Sequence, residues 1–188
     1  MKFKITLKIN RKFGDLLPFN YQYEQSAVIY RILAQADTQY SSWLHENGYL
    51  LHERKRFKLF CYSPFIFEKV RPLPEAGCLK IIGEIAVWYI SFIPEKSTLE
   101  FIQGIFAHQS FSIGNKKYQV AFDVVGVEAI SMPQLTEQMA FQAMSPICVK
   151  LHEDNKTQYL SPDNPMFADG ILKGLKARYE SIHGQPFD

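Results

Sequence analysis

The chain has 188 residues, 47% of them hydrophobic and 21% charged, with a formal net charge of +2. These proportions exclude a disordered, fibrous or collagen-like chain, and the length allows one good core or two small ones. No stretch of about 18 uncharged apolar residues occurs, and the basic opening Met1-Lys2-Phe3-Lys4 leads into alternation, so neither a membrane span nor a signal peptide is expected and the cytoplasm is the expected location.

The first element is Lys2–Asn10, where Phe3, Ile5, Leu7 and Ile9 alternate with Lys2, Lys4, Thr6, Lys8 and Asn10, the pattern of a half-buried strand. Gly14-Asp15 and Pro18 make a turn, and residues 21–36 read as a helix capped by Asn20, with Ala27, Tyr30, Arg31 and Ala34 on one stripe and Val28, Ile32 and Leu33 on the next. A short helix over 41–46, capped by Ser41 or Ser42, ends at Asn47-Gly48. Strands follow at 57–63, 78–82 and 85–93, the last two joined by Gly83-Glu84 in a meander. Pro94 and Ser97 open a helix to about His108, on which Leu99, Ile102, Ile105 and Phe106 have helical spacing. A hairpin at Gly114-Asn115 leads into a strand over 118–127.

This order, β-α-β-β-α-β with one extra short helix, predicts an α+β, ferredoxin-like domain over residues 1–135. Residues 136–188 begin a second copy, with a strand over 142–151 and a helix over 166–182. A strand and one helix cannot cover their own apolar face. The expectation is therefore a chain cut short within its second domain that self-associates as a homodimer or packs on the first domain; the alternative is a complete C-terminal appendage.

Cys61, Cys78 and Cys148 are odd in number, widely separated and set among apolar neighbours, with no CxxC pair. They read as small core residues, and no metal or cofactor is expected. The positive charge is local. Positions 52–71 hold Arg54, Lys55, Arg56, Lys58, Lys69 and Arg71 against only Glu53 and Glu68, a patch suited to phosphates.

Tyr30, His45 and Lys58 are the candidate reactive groups. Taken singly, each has a plainer explanation: a tyrosine after Ala-Val-Ile is ordinarily a core ring, a lone histidine beside leucine a surface residue, and Lys58 a strand residue turned to solvent. Two consecutive helices and the next strand can nonetheless bring their ends to one sheet edge beside the basic patch.

The segments Pro18-Phe19-Asn20-Tyr21-Gln22-Tyr23, Val28-Ile29-Tyr30, Trp43-Leu44-His45-Glu46 and Phe57-Lys58-Leu59-Phe60-Cys61-Tyr62-Ser63, with the later Met144-Ser145-Pro146-Ile147, resemble the CRISPR repeat-processing endoribonucleases, the Cas-six family of the RAMP superfamily. The resemblance spans essentially the whole chain. It implies two tandem ferredoxin-like domains, CRISPR precursor RNA as the partner, and metal-independent cleavage within each repeat. The family's tyrosine, histidine and lysine fall on Tyr30, His45 and Lys58, with Lys55 as the competing lysine and His52 a further candidate.

RNA carries its own nucleophile, so cleavage needs only deprotonation of a 2′-hydroxyl, in-line geometry and charge relief at phosphorus. Histidine and tyrosine serve as acid and base in either assignment, and lysine offsets the phosphoryl charge. A 2′,3′-cyclic phosphate and a 5′-hydroxyl are the expected products. The family's glycine-rich loop near the C-terminus has no counterpart here, which predicts weak RNA affinity. Two other readings share the fold: a non-cleaving RAMP-type subunit holding CRISPR RNA, within a CRISPR effector complex, and a regulatory ferredoxin-like domain.

Overall fold

The computed structural model describes residues 1–51, 55–153 and 156–187. The strands are β1 (Lys2–Asn10), β2 (Leu16–Pro18), β3 (Tyr49–Leu51), β4 (Lys55–Phe57), β5 (Phe60–Tyr62), β6 (Ile66–Phe67), β7 (Val70–Leu73), β8 (Cys78–Ile81), β9 (Ile85–Phe92), β10 (Ser110–Gly114), β11 (Gln119–Ile130), β12 (Val149–Glu153) and β13 (Lys156–Leu160). The helices are α1 (Gln22–Ala36), α2 (Thr38–Glu46), α3 (Glu95–Ala107) and α4 (Met166–His183).

Two compact units emerge, one of Met1–Glu46 and Phe60–Met139, the other of Asn47–Leu59 and Ala140–Asp188. The first is built on an antiparallel sheet in the order β10-β11-β1-β9-β5, with β6 also pairing with β9. Its path β1-α1-β5-β9-α3-β11 is the ferredoxin-like β-α-β-β-α-β arrangement. Alternation along β1 buries Phe3, Ile5, Leu7 and Ile9, and Ile5 stands opposite Trp88 of β9. Phe101 of α3 packs on the same face, 4.9 Å from Phe92 between ring centroids. Burying each such side chain contributes about 1.5–3 kcal/mol.

Helix α1 buries Gln25, Val28, Ile29, Ile32 and Leu33, which leaves Ala27 and Arg31 outward and Tyr30 half-buried at the margin. Helix α3 differs from the spacing read from its sequence. It buries Ser97, Thr98, Phe101, Gly104 and Ile105, while Leu99 and Phe106 are exposed. The cause is a close crossing of α1: a Cβ on Gly104 would stand 1.8 Å from the Ile32 carbonyl oxygen, so only glycine permits the approach. The side of α3 that carries Gly104, with Phe101 and Ile105, therefore faces inward.

Three local expectations are corrected. Helix α2 starts at Thr38, because the Asp37 carboxylate caps it by accepting the Tyr40 amide at 2.8 Å. Strands β8 and β9 do not form one hairpin; β8 pairs with β2 and β7 in a separate three-stranded sheet. The strand expected over 57–63 is broken at Leu59, whose φ of 56° is left-handed, so β4 pairs with β3 while β5 pairs with β9.

In the second unit β12 and β13 form a hairpin, so the strand expected over 142–151 lies later and has a partner. The Arg178 guanidinium of α4 sits 5.2 Å from the Phe57 ring centroid. Tyr179 packs on His183 at 4.2 Å and on Phe187 at 5.0 Å between centroids.

Candidate active site

Helices α1 and α2 follow one another through Asp37, and their pairing fixes the first two candidate groups. The Ser41 hydroxyl donates to the Tyr30 carbonyl at 2.8 Å, tying the start of α2 to the last turns of α1. Asp37 also meets the Lys96 ammonium at 3.2 Å, which holds the junction against α3. Tyr40, next to the cap, hydrogen-bonds the Ser97 hydroxyl within the core.

On this frame the Tyr30 and His45 rings meet edge to face, 4.9 Å apart between centroids and at 83° between planes. Tyr30 also packs edge-on against Phe60 of β5 at 5.7 Å, and Phe60 stacks near Tyr62 at 6.4 Å. His45 is exposed at the end of α2, while Tyr30 is half-buried. Burial, reinforced by the neighbouring Tyr62, pushes the Tyr30 phenol above its ordinary value, so it holds its proton at neutral pH. The pair thus offers an accessible imidazole beside a protonated phenol.

Lys58 belongs to the second unit. Gly48 turns the chain there with φ of 68°, and a Cβ at that position would stand 2.7 Å from the Phe57 carbonyl oxygen and 3.4 Å from Lys58 Nζ. Burial, then the like charge of Arg56, lowers the Lys58 ammonium from the ordinary lysine range. Lys55 is exposed, which distinguishes its surroundings from those of the half-buried Lys58.

The basic run is continuous in sequence but divided in the fold. Lys55 and Arg56 lie on β4 of the second unit, whereas Lys69 and Arg71, both exposed, lie at the β6–β7 turn and on β7 of the first. Arg54 and His52 fall outside the described residues. Among the described residues no group of three His, Cys, Asp or Glu side chains is placed to hold a metal ion. No helix among them is long and apolar enough to cross a membrane.

Sequence reasoning missed Phe60 and Ser41. The signal for Phe60 was the aromatic alternation Phe60-Cys61-Tyr62, which places two rings on one face of a strand. Ser41 was read as a helix cap, and its bond to the preceding helix has no sequence signature.

Comparison with known proteins identifies the family to which this fold belongs. Residues 16–123 match the family described as CRISPR-associated protein Cas6, N-terminal, and residues 130–188 match CRISPR associated protein Cas6, C-terminal. The chain is 26% identical to CRISPR-associated endoribonuclease Cas6 1 of Methanocaldococcus jannaschii, over 98% of this chain and 68% of that protein. It is also 26% identical to a putative CRISPR-associated endoribonuclease-like protein Cas6 of Pyrococcus furiosus, over 91% of this chain and 67% of that one. A solved structure described as a Cas6-related gene product from Pyrococcus furiosus superposes with a TM-score of 0.79 at 25% identity, covering 100% of this chain and 73% of that one. A structure described as an RAMP protein binding different RNA substrates gives a TM-score of 0.77 at 25% identity, covering 99% and 73%. With both family matches in chain order and the fold shared throughout, the chain belongs to the Cas6 family of CRISPR-associated proteins.

Proposed function

We propose that this chain is a CRISPR repeat-processing endoribonuclease that cleaves precursor RNA by internal attack of a 2′-hydroxyl, with Tyr30 and His45 as its proton-transfer pair and Lys58 as its electrostatic clamp. The observation that carries this reading is the 4.9 Å edge-to-face contact between an exposed imidazole and a half-buried phenol from two separate helices.

The raised phenol favours one division of labour. Tyr30 keeps its proton and is suited to donate it, which leaves His45 as the base. His45 takes the 2′-hydroxyl proton as the 2′-oxygen attacks phosphorus. The bond from phosphorus to the 5′-oxygen breaks, Tyr30 protonates that oxygen, and a 2′,3′-cyclic phosphate and a 5′-hydroxyl remain. The Lys58 ammonium opposes the charge gathering on the phosphoryl oxygens. Because the substrate supplies its own nucleophile, the reaction calls for neither a bound water nor a metal.

In this reading residues 1–135 form the first ferredoxin-like domain and 136–188 belong to a second. Lys55, Arg56, Lys69 and Arg71, with Arg54, contact RNA phosphates. A second reading, RNA binding without cleavage, is favoured by the likeness to an RAMP protein described as binding different RNA substrates. Repeat RNA incubated with the chain in EDTA separates the two. Cleavage that disappears when the scissile nucleotide is 2′-deoxy supports the nuclease, bound but intact RNA supports the second reading, and cleavage that requires magnesium overturns the mechanism.

A further inference from the structure

We propose that a groove at the β10–β11 hairpin is a second contact site for single-stranded RNA, with Lys12, Lys116 and Lys117 meeting phosphates and the exposed face of Phe13 receiving a base. The proposal rests on the nuclease reading for its partner but not for its residues.

The groove has a volume of about 500 Å³ and is lined by Phe13, Gly114, Asn115, Lys116, Lys117 and Gln119. Both walls are held by their own hydrogen bonds. Asn10 Oδ1 accepts the Lys12 amide at 3.1 Å and shapes the short turn Arg11–Phe13. Asn115 Oδ1 accepts the amides of Lys117 and Tyr118, each at 2.9 Å, and so sets the hairpin tip. Lys116 and Lys117 are therefore presented on a formed turn.

Charge distinguishes this place from an ordinary solvated loop. Lys12, Lys116 and Lys117 meet no carboxylate within 4.0 Å among the described residues, whereas nearby Arg11 is taken up by Glu84 at 2.8 Å and Asp15 at 3.8 Å. Lys116 and Lys117 thus line the groove without a carboxylate partner, and Lys12 adjoins it through the Phe13 wall. Phe13 is 50% exposed, with Lys12 Nζ 5.3 Å from its ring centroid, and Lys117 Nζ lies 4.8 Å from that of Tyr118. Cations alternating with aromatic faces suit the repeating phosphate and base of a single strand. A protein partner would call for a broader apolar floor than one ring.

The groove is separate from the candidate active site. It lies beside β10, one edge of the sheet, whereas Tyr30 packs on Phe60 of β5, the opposite edge. Four strand spacings of about 4.8 Å put those edges about 19 Å apart in the sheet plane, and α1 bridges them, with Arg31 donating to the Ser112 carbonyl of β10 at 3.0 Å. An RNA strand engaging both places must extend for several nucleotides, and affinity should depend on its length.

The test is fluorescence anisotropy of a labelled single-stranded repeat RNA with the 188-residue chain carrying His45→Ala, so that the probe stays intact. Adding Lys12→Ala, Lys116→Ala and Lys117→Ala together is expected to raise Kd about tenfold or more and to reduce the slope of log affinity against log salt by about 2. Phe13→Ala is expected to raise Kd about tenfold with the slope unchanged, since stacking releases no counterions. Each variant should melt at the temperature of its parent, because these side chains are exposed. Equal affinity and slope in the triple variant would overturn the groove while leaving the nuclease reading intact. RNA bound by neither protein would overturn both.

Discussion

The ring of Tyr30 meets the ring of His45 edge to face at 4.9 Å, although the two residues stand on different helices. Their contact depends on the α1–α2 junction, on the aromatic floor provided by Phe60, and on the depth at which α3 seats against α1. Each of these supports can be changed without touching either ring.

Ser41→Ala removes the hydroxyl that donates to the Tyr30 carbonyl at 2.8 Å. The expected cost is about 0.5–1.5 kcal/mol of stability, measured by urea denaturation. Cleavage should slow in single-turnover assays while RNA affinity is retained, the mark of a positioning residue rather than one that holds RNA.

Gly104→Ala places a methyl group 1.8 Å from the Ile32 carbonyl oxygen, an atom that cannot rotate away. The helices must separate, at a cost of about 1–3 kcal/mol. A lower thermal midpoint for Gly104→Ala, beside a nearly unchanged midpoint for Gly126→Ala, where a Cβ would meet Thr6 Cβ at an ordinary 3.5 Å, would check this.

Tyr30 should ionise at higher pH than an ordinary phenol because burial, and then Tyr62, disfavour its anion. The stability gained by burying the neutral ring is fully present below the unfolded value of about 10 and is lost as pH rises through the raised folded value. The difference in alkaline absorbance titration between the parent chain and Tyr30→Phe should show it. Without its proton donor, Tyr30→Phe should cleave about 10²–10⁴-fold more slowly.

Lys58 and Lys55 are separable by titration and by loss of function. Burial, with Arg56, lowers the Lys58 ammonium, so a clamp at Lys58 loses its charge on the alkaline side earlier than an ordinary lysine. Lys58→Ala is expected to slow cleavage about 10²–10³-fold, whereas Lys55→Ala should chiefly weaken RNA binding. Equal loss of the chemical step in both variants would contradict the assignment.

The β-α-β-β-α-β order was legible because the periods of β1, α1 and β9 reflect burial on one face. What periodicity could not show was contact between elements distant in sequence. The exposed Leu99 and Phe106 follow from the Gly104 crossing, a close approach that the residues of α3 do not encode alone. The break at Leu59 was hidden because a buried leucine flanked by strand-forming aromatics carries no local signal of a left-handed conformation. Tyr30 and His45 were legible as candidates through flanking residues, whereas Phe60 entered only with the register that sets it against Phe92. The basic run is contiguous in sequence, but its residues are carried by different elements: Lys55 and Arg56 share the β3–β4 hairpin, whereas Arg71 lies on β7, an assignment that charge counting alone does not provide.

The most direct test of the Tyr30 and His45 assignment is single-turnover cleavage of end-labelled repeat RNA in EDTA by the parent chain and by His45→Ala. Expected are a 2′,3′-cyclic phosphate product from the parent and a rate about 10²–10⁴-fold lower for the variant, with RNA still bound. Cleavage by His45→Ala at the parent's rate would contradict the proposed chemistry.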